Sequence, residues 1–173
     1  MDLGICVASH IGDVDYVVRA EELGYKCAWL ADSQMLWSDC YATLALAATR
    51  TNKIHLGTGV AITGTRLAPV NAAGIATINA IAPGRTFFGV GAGNTAMRVM
   101  GLPPHRIKQF EQYLKTLIPL LKGEESELHV GDKSLPIKHI MPDNGFVNFK
   151  DPIPLYISGF GPKSLALAGK YGD

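Results

Sequence analysis

The alternation of short apolar runs with longer amphipathic stretches constrains this chain more than any other feature. Four runs are almost free of polar residues: GICVA at 4–8, CAWLA at 27–31, FFGVG at 87–91 and PLYIS at 154–158. A strand with one wet face alternates in polarity, whereas a strand buried on both faces does not. The runs therefore predict a parallel sheet covered by helices. Strands are expected over Leu3–Ala8, Tyr25–Ala31, Ile54–Ile62, Arg85–Val90 and Pro154–Ser158. A helix capped by Asp13 is expected to carry Val14, Val17, Val18 and Leu23 and to stop at Gly24. Further helices are expected over Asp39–Thr49, from Pro69 to Ile81, from Ile107 to Leu121, and from Pro162 to Tyr171. Pro119 lies inside the fourth of these five and predicts a kink or an early end.

Five strand–helix units give an α/β fold with crossover connections. Two architectures fit: an open doubly wound sheet, or a (β/α)8 barrel of the TIM type, which needs about 250 residues. A chain of 173 residues holds only about the first five units of such a barrel. Residues 1–173 read as a single domain. The segment 124–151 breaks the rhythm and reads as an insertion, with a hairpin formed by Glu127–Val130, a Gly131-Asp132 turn and Lys133–Ile137. The chain ends at Gly172-Asp173 without a capping device, which is read as the edge of a fragment.

Composition removes several classes of function. With 47% apolar and 18% charged residues, the chain buries a core instead of remaining disordered. Its 16 basic and 15 acidic side chains leave a net charge of +1. No strong field would draw it to nucleic acid or to an anionic membrane, and no apolar run reaches the ~18 residues of a membrane span. The N-terminus does not read as a signal peptide. Three cysteines without a C-x-x-C spacing read as reduced thiols of a cytoplasmic protein. The expected ligands are small molecules.

In either architecture ligands sit at the C-terminal ends of the strands. That rule selects His10, Asp32-Ser33-Gln34, Gly59-Val60, Gly91-Ala92-Gly93-Asn94 and Ser158-Gly159-Phe160-Gly161. Common nucleotide fingerprints fail. Asn94 and Ile62 stand where dinucleotide patterns need glycine, and Gly161-Pro162-Lys163-Ser164 lacks the glycine before lysine of a P-loop. Ser158–Ser164 still joins a strand end to a helix opening on Pro162, which is a general anion-binding arrangement or an ordinary turn. Asp32 directly follows an apolar strand, where a carboxylate is costly unless solvated or partnered. It reads as an acceptor for a ligand or as a turn former. Trp37 can wall a flat ring or simply pack, and His10 is a candidate proton donor or an idle turn residue. His55 falls at the opposite end of its strand, and His129 and His139 lack metal-ligand spacing, so no metal site is expected.

Taken in order, LADSQ with Trp37, KIHLGTGVAITGTRLAP, APGRTFFGVGAGNTAM and PIPLYISGFGPKSLALAGKYGD resemble the bacterial-luciferase-like flavin oxidoreductases. The chain looks most like their deazaflavin (coenzyme F420) branch, near methylenetetrahydromethanopterin reductase. The resemblance decides for the TIM barrel and implies that about three βα units are absent. It implies a cis peptide between Gly59 and Val60 behind the central cofactor ring. It also implies that Asp32 lies near that ring, that Ala92, Gly93 and Asn94 form a cofactor loop, and that Ser158, Gly159, Gly161 and Pro162 approach the cofactor's side chain and phosphate. Asp32 and His10 are then the candidate catalytic residues. Ser33 stands where several deazaflavin enzymes have a histidine active in proton transfer, which favours hydride transfer to an activated double bond over alcohol dehydrogenation. The implied activity is hydride transfer between F420 and a small organic substrate. The alternatives are an FMN-dependent monooxygenase and a non-catalytic or truncated flavin-binding module. Open sheet edges and an uncovered interior predict a homo-oligomer or weak cofactor binding.

Overall fold

The computed structural model describes all 173 residues. The chain begins with β1 (Gly4–Val7), α1 (Asp15–Glu22), β2 (Cys27–Leu30) and α2 (Cys40–Arg50). It continues with β3 (His55–Thr58), β4 (Ala61–Ile62), α3 (Ala68–Ile81), β5 (Thr86–Gly91), α4 (Thr95–Val99) and α5 (Ile107–Leu121). It ends with β6 (Ser126–Val130), β7 (Lys133–Ile137), β8 (Leu155–Ile157) and α6 (Pro162–Tyr171). Six strands form one parallel sheet in the order β1, β2, β3, β5, with β4 and β8 also paired to β5. This is part of a (β/α)8 barrel, with helices on the outer side joining β1 to β2, β2 to β3, β4 to β5 and β5 to β8.

The core lies between the sheet and those helices. Ala28, Leu30, Leu56, Phe88 and Val90 project outward from the strands and are fully buried against Leu44, Ala47, Ala72, Ile75, Leu114 and Leu117. In α5 the buried residues Phe110, Leu114, Leu117 and Leu121 recur at helical spacing and fix which face packs. α3 buries Ala68, Ala72 and Ala76 beside Ile75 and Ile78, and it packs between α2 and α5.

The expected boundaries hold for most helices, and the exceptions have local causes. Asp13 does not cap α1: Val14 already has helical backbone angles, and no side chain caps the helix. Asp39 does cap α2, accepting from the Ala42 N–H at 2.9 Å. α5 continues through Pro119 to Leu121 without ending early, because Leu117, Leu120 and Leu121 are buried on either side of the proline. α4 adds a short helix that periodicity does not predict. The β6–β7 hairpin pairs antiparallel and is tied to α5, where Thr116 Oγ1 donates to the Glu127 carbonyl (2.7 Å) and Ser126 Oγ to the Thr116 carbonyl (2.8 Å).

Burial of both sheet faces is only partly realised. The inner face carries Trp29, Phe87 and Tyr156 in edge and tilted contacts, with ring centroids 4.3 to 5.5 Å apart. Phe87 is buried, but Tyr156 is 41% exposed because the helices pack on the other side of its strand.

Candidate functional site

The expected third strand is broken in two, and the break builds the site. Between β3 and β4 the Gly59–Val60 peptide is cis. The chain bulges there, and the regular ladder to β5 lapses between the pairs Gly57–Phe87 and Ala61–Val90. Thr58 fills the gap: its hydroxyl donates to the Gly89 carbonyl (2.6 Å) and accepts from the Gly89 N–H (3.1 Å). The Gly59 N–H reaches the Leu30 carbonyl at 2.6 Å. The Gly59 N–H and both Gly89 backbone groups, which the bulge would strand, are thus satisfied.

A cavity of about 640 Å³ opens over this bulge at the C-terminal ends of the strands. Gly59, Val60, Gly91, Ala92, Gly93 and Asn94 line it, together with Asp32, Trp37 and Ser158. Glycine is required rather than incidental at two of these positions. A Cβ on Gly91 would lie 2.9 Å from the Val60 side chain and 3.3 Å from Ser158 Cβ. Gly93 has φ +72°, a conformation that side chains disfavour. The floor is therefore tightly packed, with the Val60 and Ile62 side chains lying against glycine backbone.

Asp32 is 2% exposed at the edge of this floor, and its carboxylate is fully engaged. Oδ1 accepts from the Gln34 amide at 2.6 Å, while Oδ2 accepts from Arg66 Nη1 at 2.7 Å and from the Ile62 N–H at 3.3 Å. The other arm of Arg66 reaches Asp39 at 2.7 Å, and its guanidinium lies 5.0 Å from the Tyr41 ring centre. Burial acts to lower the Arg66 pKa, but the hydrogen bond and charge of Asp32, aided by Tyr41 and Asp39, carry it above its ordinary value. Asp32 thus ties the segment after the bulge to the end of β2.

The structure does not gather all the sequence-selected residues. His10 is exposed and lines a different cavity, beside Val14 and Val17 at the start of α1. Gly159, Gly161 and Pro162 lie outside the lining, although Ser158, Phe160 and Ser164 belong to it. Gly159 serves a close approach, since a Cβ there would lie 3.0 Å from the Leu165 nitrogen. The Gly161 N–H is taken by the Ser164 hydroxyl at 3.1 Å. Two residues that strand-end reasoning missed also stand at the site. Arg66 is one. His105 is the other, its Nδ1 lying 3.0 Å from Thr63 Oγ1, with burial lowering its pKa. The cost of burying Asp32 signals a need for a counter-charge, but nothing local names a residue 34 positions away.

The sequence profile of the luciferase-like monooxygenases matches residues 12–173. The chain belongs to this family. Among luciferase-like relatives, it is 34% identical over 161 residues to the 5,10-methylenetetrahydromethanopterin reductase of Methanolobus tindarius, covering 91% of this chain and 47% of that one. It is 30% identical over 175 residues to the F420-dependent glucose-6-phosphate dehydrogenase of Intrasporangium calvum, covering 92% and 51%. Its structure superimposes on the coenzyme F420-dependent tetrahydromethanopterin reductase of Methanopyrus kandleri with a TM-score of 0.77 at 25% identity, over 99% of this chain and 54% of that one. The chain spans about half the length of the curated relatives it matches. No helix is long and apolar enough to cross a membrane.

Proposed function

We propose that this chain forms the cofactor-holding part of an oxidoreductase that moves hydride between coenzyme F420 and a small organic substrate. One observation carries the reading. The cis bulge, Gly91 and Gly93 let the strand tips pack closely under a cavity lined by Val60, Ile62 and Trp37, in a chain 30% identical to two F420-dependent dehydrogenases. A planar deazaflavin ring suits a cavity with such a floor, and a Cβ at Gly91 would push Val60 and Ser158 out of place.

When bound, the deazaflavin supplies the carbon that accepts or delivers hydride. The protein's part is to orient and to exclude water. Val60 and Gly59 would back the ring, and Trp37 and Ile62 would wall it. Arg98 is the one guanidinium in the lining and would face the cofactor's anionic side chain, beside Ser158. Asp32 holds the bulge in place, and its oxygens are already engaged by Gln34, Arg66 and Ile62.

Fluorescence titration with F420 and with FMN tests this reading. The expected outcome is saturable F420 binding, at least tenfold tighter than FMN. Tighter FMN binding with oxygen-dependent turnover would install the monooxygenase reading instead. Binding of either cofactor without turnover of any substrate would make the chain a flavin-binding module.

A further inference from the structure

Val60 supplies the only side chain of the Gly59–Val60 bulge, and it lines the cavity. No ladder pair to β5 holds it, because pairing stops at Gly57–Phe87 and resumes at Ala61–Val90. Packing holds it instead. Gly89 and Gly91 are two residues apart on β5 and face the same side. Val60 Cγ1 lies 3.2 Å from the point where a Cβ on Gly89 would stand, and Cγ2 lies 2.9 Å from the matching point on Gly91. The isopropyl group therefore sits astride the strand, one methyl over each glycine.

Trp29 reaches the same spot from β2. Its Cβ lies 2.7 Å from the Cβ position of Gly59, and its Cζ3 lies 2.9 Å from that of Gly89. The indole thus extends across the end of β3 and shares the space over Gly89 with Val60 Cγ1. Phe87 and Tyr156 brace it, with ring centroids 4.3 and 5.2 Å away. Phe87 has room only because residue 57 is glycine, where a Cβ would run into its ring. Trp29 itself lies outside the cavity lining, so a guest there meets Val60 and not the indole.

We infer that Trp29 is a positioning residue: it fixes the Val60 isopropyl group where that group backs the cofactor ring, without touching the ring. The inference rests on the F420 reading above. Valine is stiff at χ1, so with both methyls seated it keeps one orientation. A smaller residue at 29 opens space beside Cγ1. The isopropyl group then turns into that space, and the support under the ring recedes. A tryptophan that merely filled the barrel interior would affect stability, but its effect on the cofactor would not depend on the methyls of Val60.

A double-mutant cycle in the full chain, read by fluorescence titration with oxidised F420, tests this. Its members are wild type, Trp29→Leu, Val60→Ala and the double variant, each checked for folding by circular dichroism. Each single change should weaken F420 binding by about tenfold. The double variant should bind within about twofold of the weaker single one, because the indole acts only through the methyls that Val60→Ala removes. The absorption band of bound F420 should shift in the same direction in both single variants, a signature that lost stability alone would not give. Trp29→Phe, which lacks the second ring that carries Cζ3, runs through the same cycle and takes the place of the leucine variant should that one not fold. Losses that multiply in the double variant would overturn the inference and leave the cofactor reading intact. So would a folded Trp29 variant, or a Val60→Ala protein, that binds F420 as wild type does. Failure of wild type to bind F420 would remove the cofactor reading itself and the inference with it.

Discussion

Arg66 and Asp32, 34 residues apart in sequence, form a buried ion pair at 2.7 Å that joins the end of β2 to the loop leaving β4. Their side chains are 16% and 2% exposed, so water screens the pair poorly. Arg66→Met would strand a carboxylate that still holds the Ile62 N–H. The expected loss is about 3–5 kcal/mol in urea unfolding. In the double variant with Asp32→Asn the losses should add to less than their sum, because both changes break one network.

The close-packed floor separates two glycines. Gly91→Val should abolish cofactor binding, since even a Cβ meets Val60 and Ser158. Gly161→Ala should bind within twofold of wild type: it lies outside the lining, and a Cβ there has nothing within 4 Å. Parallel F420 titrations of the two variants check this. Equal losses would return Gly161 to the site.

Glu21 predicts an acid-sensitive joint. Its carboxylate accepts from the N–H groups of Asn52, Lys53 and Ile54 at 2.6 to 3.1 Å, tying the end of α1 to the entry of β3. Partial burial acts to raise its pKa, but the three backbone donors and Arg85 outweigh it and hold the pKa below the ordinary 4.5. A lowered folded pKa means the contribution is complete above pH 4.5 and is lost as pH falls through the folded value. Glu21→Gln should therefore lower the unfolding free energy read from urea titration at pH 7 by about 1–3 kcal/mol. The gap to wild type should narrow below pH 4.5.

Asn79 fastens the insertion tail to the sheet. Its amide donates to the Asn148 and Asp151 carbonyls at 3.0 and 2.9 Å, and its oxygen accepts from Thr86 Oγ1 at 2.6 Å. It is fully buried, so Asn79→Ala removes these bonds and leaves the buried Thr86 hydroxyl without its acceptor. The expected cost is about 3 kcal/mol. Limited proteolysis should then cut first within 138–151.

The sequence is informative where structure is local. The helix from Ile107 to Leu121 and the Gly131-Asp132 turn follow from periodicity and turn chemistry within a few residues. The site is less legible because its decisive contacts are distant. Asp32 announces a need for a partner, yet Arg66 stands in a loop with no pattern of its own. The interruption after Thr58 is invisible in an apolar run that reads as one strand through Ile62, and only the family resemblance points to it. His105 sits next to Pro104 in a stretch without periodicity, and only folding sets it against Thr63.

A binding surface built on tightly packed glycines has an evolutionary consequence. The space beside Gly59, Gly91 and Gly93 is already taken by Trp29, Val60 and Ile62, so mutation at the glycines can obstruct but hardly retune. Divergence in guest preference is channelled to the rim, through Trp37, Ile62, Arg98 and Phe160. Libraries aimed at altered preference belong at those four positions, with the glycines left alone.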